Sequence, residues 1–242
     1  CNQLIRKIDF SQSSNMIIIM DHKVEALDEV IIAESKIKSS STAKIYSLSD
    51  IEKDRYSNSG LSGAISQISG ATTLSTGGNI SQPVIHGMFG SRVGIIYDGI
   101  LLENQQWGQD HAPNVDINAF ENIRLIKGAG ALRYSGSSPG GVIILESSLP
   151  KKIDSLYGKT LINGVSNGLG GSLISSWTKS YENGKYLKAQ GTFKISGDLN
   201  TPQYILSNTG SNEKNLSLSF GSNNDLKNWK VYFSYFLSLI HI

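Results

Sequence analysis

Gly136-Ser137-Ser138-Pro139-Gly140 has the G-x-S-x-G spacing of a nucleophile elbow, the sharp strand-to-helix turn that exposes a serine hydroxyl for acyl transfer. That chemistry needs the backbone N–H of the next residue in the oxyanion hole. Here the next residue is Pro139, which has no N–H. A helix should follow the turn, yet Gly141-Val142-Ile143-Ile144-Leu145 is strand-like. His22, His86 and His111 all precede Ser138, and the fourth histidine, His241, lies in the last six residues, read below as adapter sequence, whereas the usual order in this fold is serine, acid, histidine. Ser138 is therefore not read as a nucleophile. Gly128-Ala129-Gly130-Ala131-Leu132-Arg133 opens like a phosphate cradle, but Arg133 stands at the third glycine position and no helix is signalled. Gly128, Gly130, Gly136, Gly140 and Gly141 are expected to serve tight turns and close backbone approach instead.

A second stretch with chemical potential is Glu103–Asp116, ENQQWGQDHAPNVD. Glu103, Asp110, His111 and Asp116 offer oxygen and nitrogen donors that suit a divalent metal, with Asp110 and His111 as the nearest pair. Trp107 can stack on an aromatic or chelate ligand. The other reading of the Asp110-His111 pair is a hydrogen-bonded loop brace. His86 is a weaker second ligand, and as a plain polar residue it needs no metal.

These residues must be positioned by a turn-rich β protein, since 25 of 242 residues are glycine and serine and asparagine abound. A net charge of +2 with scattered Lys and Arg gives no nucleic-acid footprint. The single cysteine, Cys1, rules out a disulfide framework or a thiolate metal cluster. The longest apolar run, Met16–Met20, is far short of the ~20 residues of a membrane helix. The chain opens at Cys1 without a recognisable start, so its beginning is expected to be missing. Its last six residues, Leu237-Ser238-Leu239-Ile240-His241-Ile242, are what CTGTCTCTTATACACATC encodes, a transposase end used in sequencing adapters. We read 237–242 as adapter read-through and leave it out of fold reasoning.

Residues 1–26 are short and mixed, and Asn15–Val24 reads as a closing strand. Lys36–Lys44 is a polar, serine-rich connection. Ser49 and Glu52 have capping-box spacing for a short helix over Asp50–Arg55. Leu61, Ala64, Ile65 and Ile68 recur at helical spacing, and Gly70 ends that helix. Val84-Ile85, Gly94–Tyr97, Ile123–Ile126 and Gly141–Glu146 read as strands, with an Asp98-Gly99 hairpin signal and a helical turn over Ile117–Glu121. Residues 45–148 thus make an α+β unit with little helix. From Leu156 onward the pattern changes to period-2 alternation. Leu187 to Ile195, Leu216 to Phe220 and Trp229 to Tyr235 each place apolar residues on one face, separated by turns such as Glu182-Asn183-Gly184 and Asn223-Asn224-Asp225. Phe193, Trp229, Phe233 and Tyr235 lie on the apolar face. Transmembrane-barrel strands and a soluble β-sandwich both give this alternation.

The order of these motifs resembles the plug of TonB-dependent outer-membrane receptors. It reads PVIHGMFGSRV at 83–93, GIIYDGI at 94–100 and IRLIKGAGALRYSGSSPGGVI at 123–143. Leu27-Asp28-Glu29-Val30-Ile31-Ile32 resembles the Ton box of Bacteroidota-type receptors, and residues 1–26 the end of a carboxypeptidase-regulatory-like β domain. Residues 201–221 resemble the early barrel of the same receptors, and Gln105–His111 a segment found in receptors assigned to zinc, haem or siderophore uptake. Two departures stand out. His86 replaces the family's usual Arg, and Ser135 stands where Tyr-Gly is usual, with Gly136 one place later.

The resemblance implies an α+β plug domain at 45–150, preceded by a Ton box and linker at 27–44. It is followed at 151–236 by the first antiparallel strands of a transmembrane β-barrel, left incomplete. The resemblance further implies a Gram-negative outer-membrane location, no catalysis and no resident cofactor. The partners would be TonB with its inner-membrane energising complex and a small extracellular ligand, with Glu103, Gln106, Trp107, Asp110 and His111 as candidate ligand contacts. Leu27–Ile32 would pair with TonB as an added strand. A glycan-importing receptor and a non-transporting binding or signalling module are the alternative readings.

Overall fold

The long strands from Leu156 onward turn most of their large apolar residues outward and bury a row of polar ones, the inverse of a soluble sandwich; Ile174 and Tyr186 are buried exceptions. The computed structural model describes residues 44–75, 80–102, 112–147, 149–150, 153–224 and 227–240. Residues 1–26, the stretch Leu27–Ile32 and the segment Glu103–His111 lie outside them. The described residues all belong to one unit, Ser39–Ile242.

In chain order, the first layer contains β1 (Lys44–Ser47), α1 (Asp50–Arg55), α2 (Gly60–Ile65), β2 (Ala71–Ser75) and β3 (Ser81–Ile85). It continues with β4 (Val93–Tyr97), β5 (Ile100–Leu101), β6 (Asn122–Lys127) and β7 (Gly141–Glu146). Five of the strands form one mixed sheet, β1-β6-β7-β4-β5, in which only β4 and β7 run parallel. β4 and β7 are buried on both faces and read as continuous apolar runs. Ile95, Ile143 and Leu125 align across the sheet. They pack with Leu61, Ala64, Ile65 and Ile68 into a core drawn wholly from residues 48–145.

Local signals explain the short helices. Ser49 caps α1 as expected: its side chain accepts from the Glu52 N–H at 3.3 Å, and its own N–H donates to the Glu52 carboxylate at 2.8 Å. These bonds hold the Glu52 carboxyl below its ordinary pKa. α2 buries the expected face but stops at Ile65, short of Ile68, and Gly70 lies beyond it at φ +81°. Asp98 and Gly99 both have positive φ, the type I′ hairpin read from the sequence.

Two expectations are corrected here. Gly128–Arg133 forms a 3-10 helix where only a turn was expected, and β2 had not been anticipated at all. The five glycines also differ in role. Gly128 has φ +71°. Gly141 has φ +146°, and a Cβ there would lie 2.8 Å from the Ile126 carbonyl. A Cβ on Gly140 would sit 2.9 Å from the Arg92 carbonyl, whereas one on Gly136 would meet nothing within 4 Å. Gly130 lies inside the 3-10 segment. Gly136 therefore needs neither a special φ nor close approach.

The second layer is β8 (Leu156–Val165), β9 (Gly170–Ser180), β10 (Lys185–Ser196), the two-residue pair β11 (Leu199–Asn200) and β12 (Ile205–Leu206), β13 (Ser211–Asn224) and β14 (Lys227–Ile240). The five long strands form an antiparallel sheet in the order β8-β9-β10-β13-β14. Its side facing the first layer carries Gln190, Thr192, Asn215, Ser217 and Ser219, all buried. Its other side exposes Leu187, Phe193, Leu218, Phe220, Trp229, Phe233 and Tyr235, with Phe193 54 % and Phe233 57 % exposed. A sandwich would bury that apolar face under a second sheet, and no such sheet exists among the described residues. Hydroxyls on this face satisfy one another: Thr160 and Ser175 lie 2.9 Å apart, and the Trp177 indole N–H donates to Ser175 at 3.0 Å. Internal satisfaction is what a strand facing hydrocarbon requires.

Candidate functional site

The connections give the sheet a direction. β9 and β10 are joined by Tyr181–Gly184, and β13 and β14 by two residues, all at one end. At the other end the link from β10 to β13 runs through residues 197–210. This longer link is pinned: Asn167 donates to the Asn200 carbonyl at 3.1 Å, the Asn200 N–H returns a bond at 2.7 Å, and Asp198 accepts from the Thr209 and Gly210 N–H groups.

A cavity of about 590 Å³ opens at the long-link end between the first layer and the sheet. Its floor is Asn58–Gly63, Thr73 and Ser75, its near side Ile80, Ser81 and Ala112–Val115, and its wall includes Lys194, Ser196, Ser211, Glu213 and Ser238. The lining is divided evenly between neutral hydrogen-bonding side chains and apolar or glycine residues. Its charged pair, Lys194 and Glu213, is self-compensated at 3.3 Å. Two segments border it in sequence, 76–79 and Glu103–His111. Of the residues picked out for ligand contact, Glu103, Gln106, Trp107, Asp110 and His111 fall in the second and lie outside the described residues; the segment's return, Ala112–Val115, lines the cavity.

Asp116, which was read with them as a metal donor, lies within the described residues and braces the structure. It caps the 3-10 turn Ile117–Ala119, accepting from the Asn118 N–H at 3.0 Å and the Asn118 amide at 2.8 Å. Its second oxygen accepts from Gln190 on β10 at 3.0 Å. The residue is a brace between the two layers. His86 is exposed, at φ +49° in a two-residue His86-Gly87 turn closed by paired bonds between Ile85 and Met88. No group of three or more His, Cys, Asp or Glu capable of holding a metal occurs among the described residues.

The contact between the layers is polar, and sequence reasoning missed it. Lys159 of β8 meets Asp54, Lys188 of β10 meets Glu121, and Lys230 of β14 meets Asp98 at 2.6 Å and Ser147 at 2.7 Å. Ser172 donates to Asn58 at 2.5 Å. Every cation in these cross-layer ion pairs comes from the sheet and every anion from the first layer. Lys53 reaches the Phe120 carbonyl at 3.0 Å, and burial lowers its pKa. Tyr97 meets Phe120 edge-on at 4.7 Å and Tyr232 of the sheet at 4.8 Å. Ser138 is buried against Ser135, their hydroxyls 2.7 Å apart.

A family model described as TonB-dependent Receptor Plug Domain matches residues 35–142. Among solved structures, the copper transporter OprC superposes with TM-score 0.68 at 18% identity, covering 84% of this chain and 32% of that one. The pyoverdine outer membrane receptor FpvA from Pseudomonas aeruginosa PAO1 gives 0.65 at 13%, covering 81% and 27%. The siderophore receptor PiuA from Acinetobacter baumannii gives 0.58 at 18%, covering 81% and 26%. The chain thus spans about a third or less of the length of each of these structures.

Proposed function

Residues 35–142 being the plug domain of a TonB-dependent receptor, we propose that the chain is the plug and first barrel wall of a longer receptor that takes up a small ligand across a Gram-negative outer membrane. The sheet β8–β14 lies with its apolar face to lipid. Barrels of this kind keep short turns on the periplasmic side and longer loops outside, so the 590 Å³ cavity opens to the exterior. That cavity is the observation that carries the reading: a charge-balanced recess floored by the plug and walled by the barrel, with Ala112–Val115 on its rim.

The ligand class is a siderophore, haem or metal ion, with Trp107 stacking and Asp110 and His111 as metal contacts. The copper and siderophore names of the similar structures favour it. The neutral Ser, Thr and Asn lining also suits a hydroxyl-rich glycan, which is the second reading. Leu27–Ile32 is the Ton box, in the Bacteroidota arrangement, and adds as a strand to TonB.

The test uses the full-length receptor. Deleting Leu27–Ile32 abolishes energised uptake and leaves ligand affinity unchanged; retained uptake refutes the Ton-box assignment. Calorimetry with zinc, haem, a ferric siderophore and an oligosaccharide identifies the class. His111→Ala weakens metal or metal-chelate binding, and unchanged binding makes His111 a loop brace.

A further inference from the structure

Four carboxylates of the plug face the wall, and three of them, Asp54, Glu121 and Asp98, each meet a wall lysine. Asp116 does not. Its side chain is buried, and its hydrogen-bond donors among the described residues are the neutral Asn118 and Gln190. Gln190 is itself fixed, donating to Thr192 at 2.6 Å and accepting from Ser217 at 3.0 Å. A carboxylate taken out of water without a counter-charge is costly by several kcal/mol, so this position calls for a positive charge.

Asp116 lines a second, smaller cavity of about 130 Å³ between the plug and strands β10, β13 and β14. Two further oxygens line it: the Asn215 side-chain oxygen, which has no hydrogen-bond partner among the described residues, and the Tyr97 hydroxyl, which lies beside Tyr232. Asn215 is 4 % exposed, and its amide nitrogen donates to Glu213 at 2.6 Å. Turning the amide over would set its oxygen against the Glu213 carboxylate, so the orphan atom is the oxygen. Glu213 is already matched by Lys194. Among the described residues the cavity therefore combines one negative charge without a counter-charge, one unsatisfied amide oxygen and a hydroxyl oxygen.

We propose that this cavity binds a monovalent alkali cation of sodium size, through the Asp116 carboxylate, the Asn215 side-chain oxygen and the Tyr97 hydroxyl, with water completing the shell. All-oxygen ligation suits a hard cation. A single carboxylate matches a single positive charge, whereas a calcium site of ordinary affinity draws on several. At ~30 Å³ per water the cavity has room for the ion and about three waters. The ion would tie the base of the outer loop, Ala112–Asp116, to the barrel wall.

The experiment is the urea midpoint of the full-length receptor in detergent, in sodium chloride and in choline chloride at equal ionic strength, with ²³Na line broadening as a direct readout. Sodium is expected to raise the midpoint above choline. Asn215→Ala, which leaves the Asp116 cap intact, is expected to abolish the difference and the line broadening, and Asp116→Asn to do the same. Equal midpoints in the two salts, or an undiminished sodium response in Asn215→Ala, overturns the proposal and leaves ordered water as the occupant. If Asp116→Asn does not fold, the Asn215→Ala result decides alone.

Discussion

Placing arginine at Ala189 tests whether the exposed apolar face lies in lipid. Ala189 faces outward at mid-strand on β10, between Trp177 of β9 and Leu218 of β13. The outward residues of that strand run from Leu187 to Ile195. At about 3.4 Å per residue those eight steps cover ~27 Å. Tilted by about 40°, they project to ~21 Å of the ~25 Å apolar band of such barrels. Ala189 then falls deep in the band and Ile195 at its outer rim. Arginine costs about 2–4 kcal/mol at the midplane and about 0–1 near an interface. Ala189→Arg is expected to lower the folding free energy of the full-length receptor in lipid vesicles by about 2–4 kcal/mol, and Ile195→Arg by about 1 or less. The assay is a urea titration of vesicle-refolded receptor, followed by tryptophan fluorescence. Equal tolerance of arginine at both positions would refute the lipid-facing assignment, because water on this face gives no depth dependence.

Two further substitutions probe the plug. Gly141→Ala combines φ +146° with a Cβ 2.8 Å from the Ile126 carbonyl, so it should prevent recovery of folded receptor, whereas Gly136→Ala, with open space around it, should shift the urea midpoint by less than about 0.5 kcal/mol. Lys188→Met leaves Glu121 facing the wall without its ion pair; with the two side chains 12% and 30% exposed, the loss should be about 2–3 kcal/mol, below the 3–5 of a fully buried pair, and a hydrogen-exchange rate at the plug–wall contact equal to wild type would count against it.

What could be read from the sequence was local. The Ser49–Glu52 box and the Asp98-Gly99 turn depend on residues within one turn of each other, and both appear as expected. The wall strands were legible because alternation survives in any environment where one face differs from the other. Which face lay inside was not legible, since period 2 is the same for a barrel and a sandwich; the answer came from Gln190 and Thr192 being buried while Phe193 is exposed. β2 escaped because Ala71–Ser75 is half-exposed throughout and shows no strong alternation. The tie that Asp116 makes to the wall was hidden for a related reason: its partner Gln190 is 74 residues away. The cross-layer lysines could not be assigned, because nothing in Lys159, Lys188 or Lys230 names the carboxylate it meets.

The division of chemistry between the two layers bears on how a plug can be held firmly yet displaced. Its apolar core closes on itself, drawn entirely from residues 48–145, with no wall residue in it. The wall meets it through ion pairs and hydrogen bonds, at Asp54, Asn58, Asp98, Asp116 and Glu121. Separating two apolar surfaces would expose them to water at about 25 cal/mol per Å². Separating polar pairs exchanges each for bonds to water, at a net cost of about 0.5–1.5 kcal/mol per neutral hydrogen bond. The contact is thus specific in register, with each lysine addressed to one acid, but each pair can be replaced by water as the plug shifts. A pull applied through the segment before β1 could loosen that contact stepwise while leaving the core of β4, β6 and β7 intact.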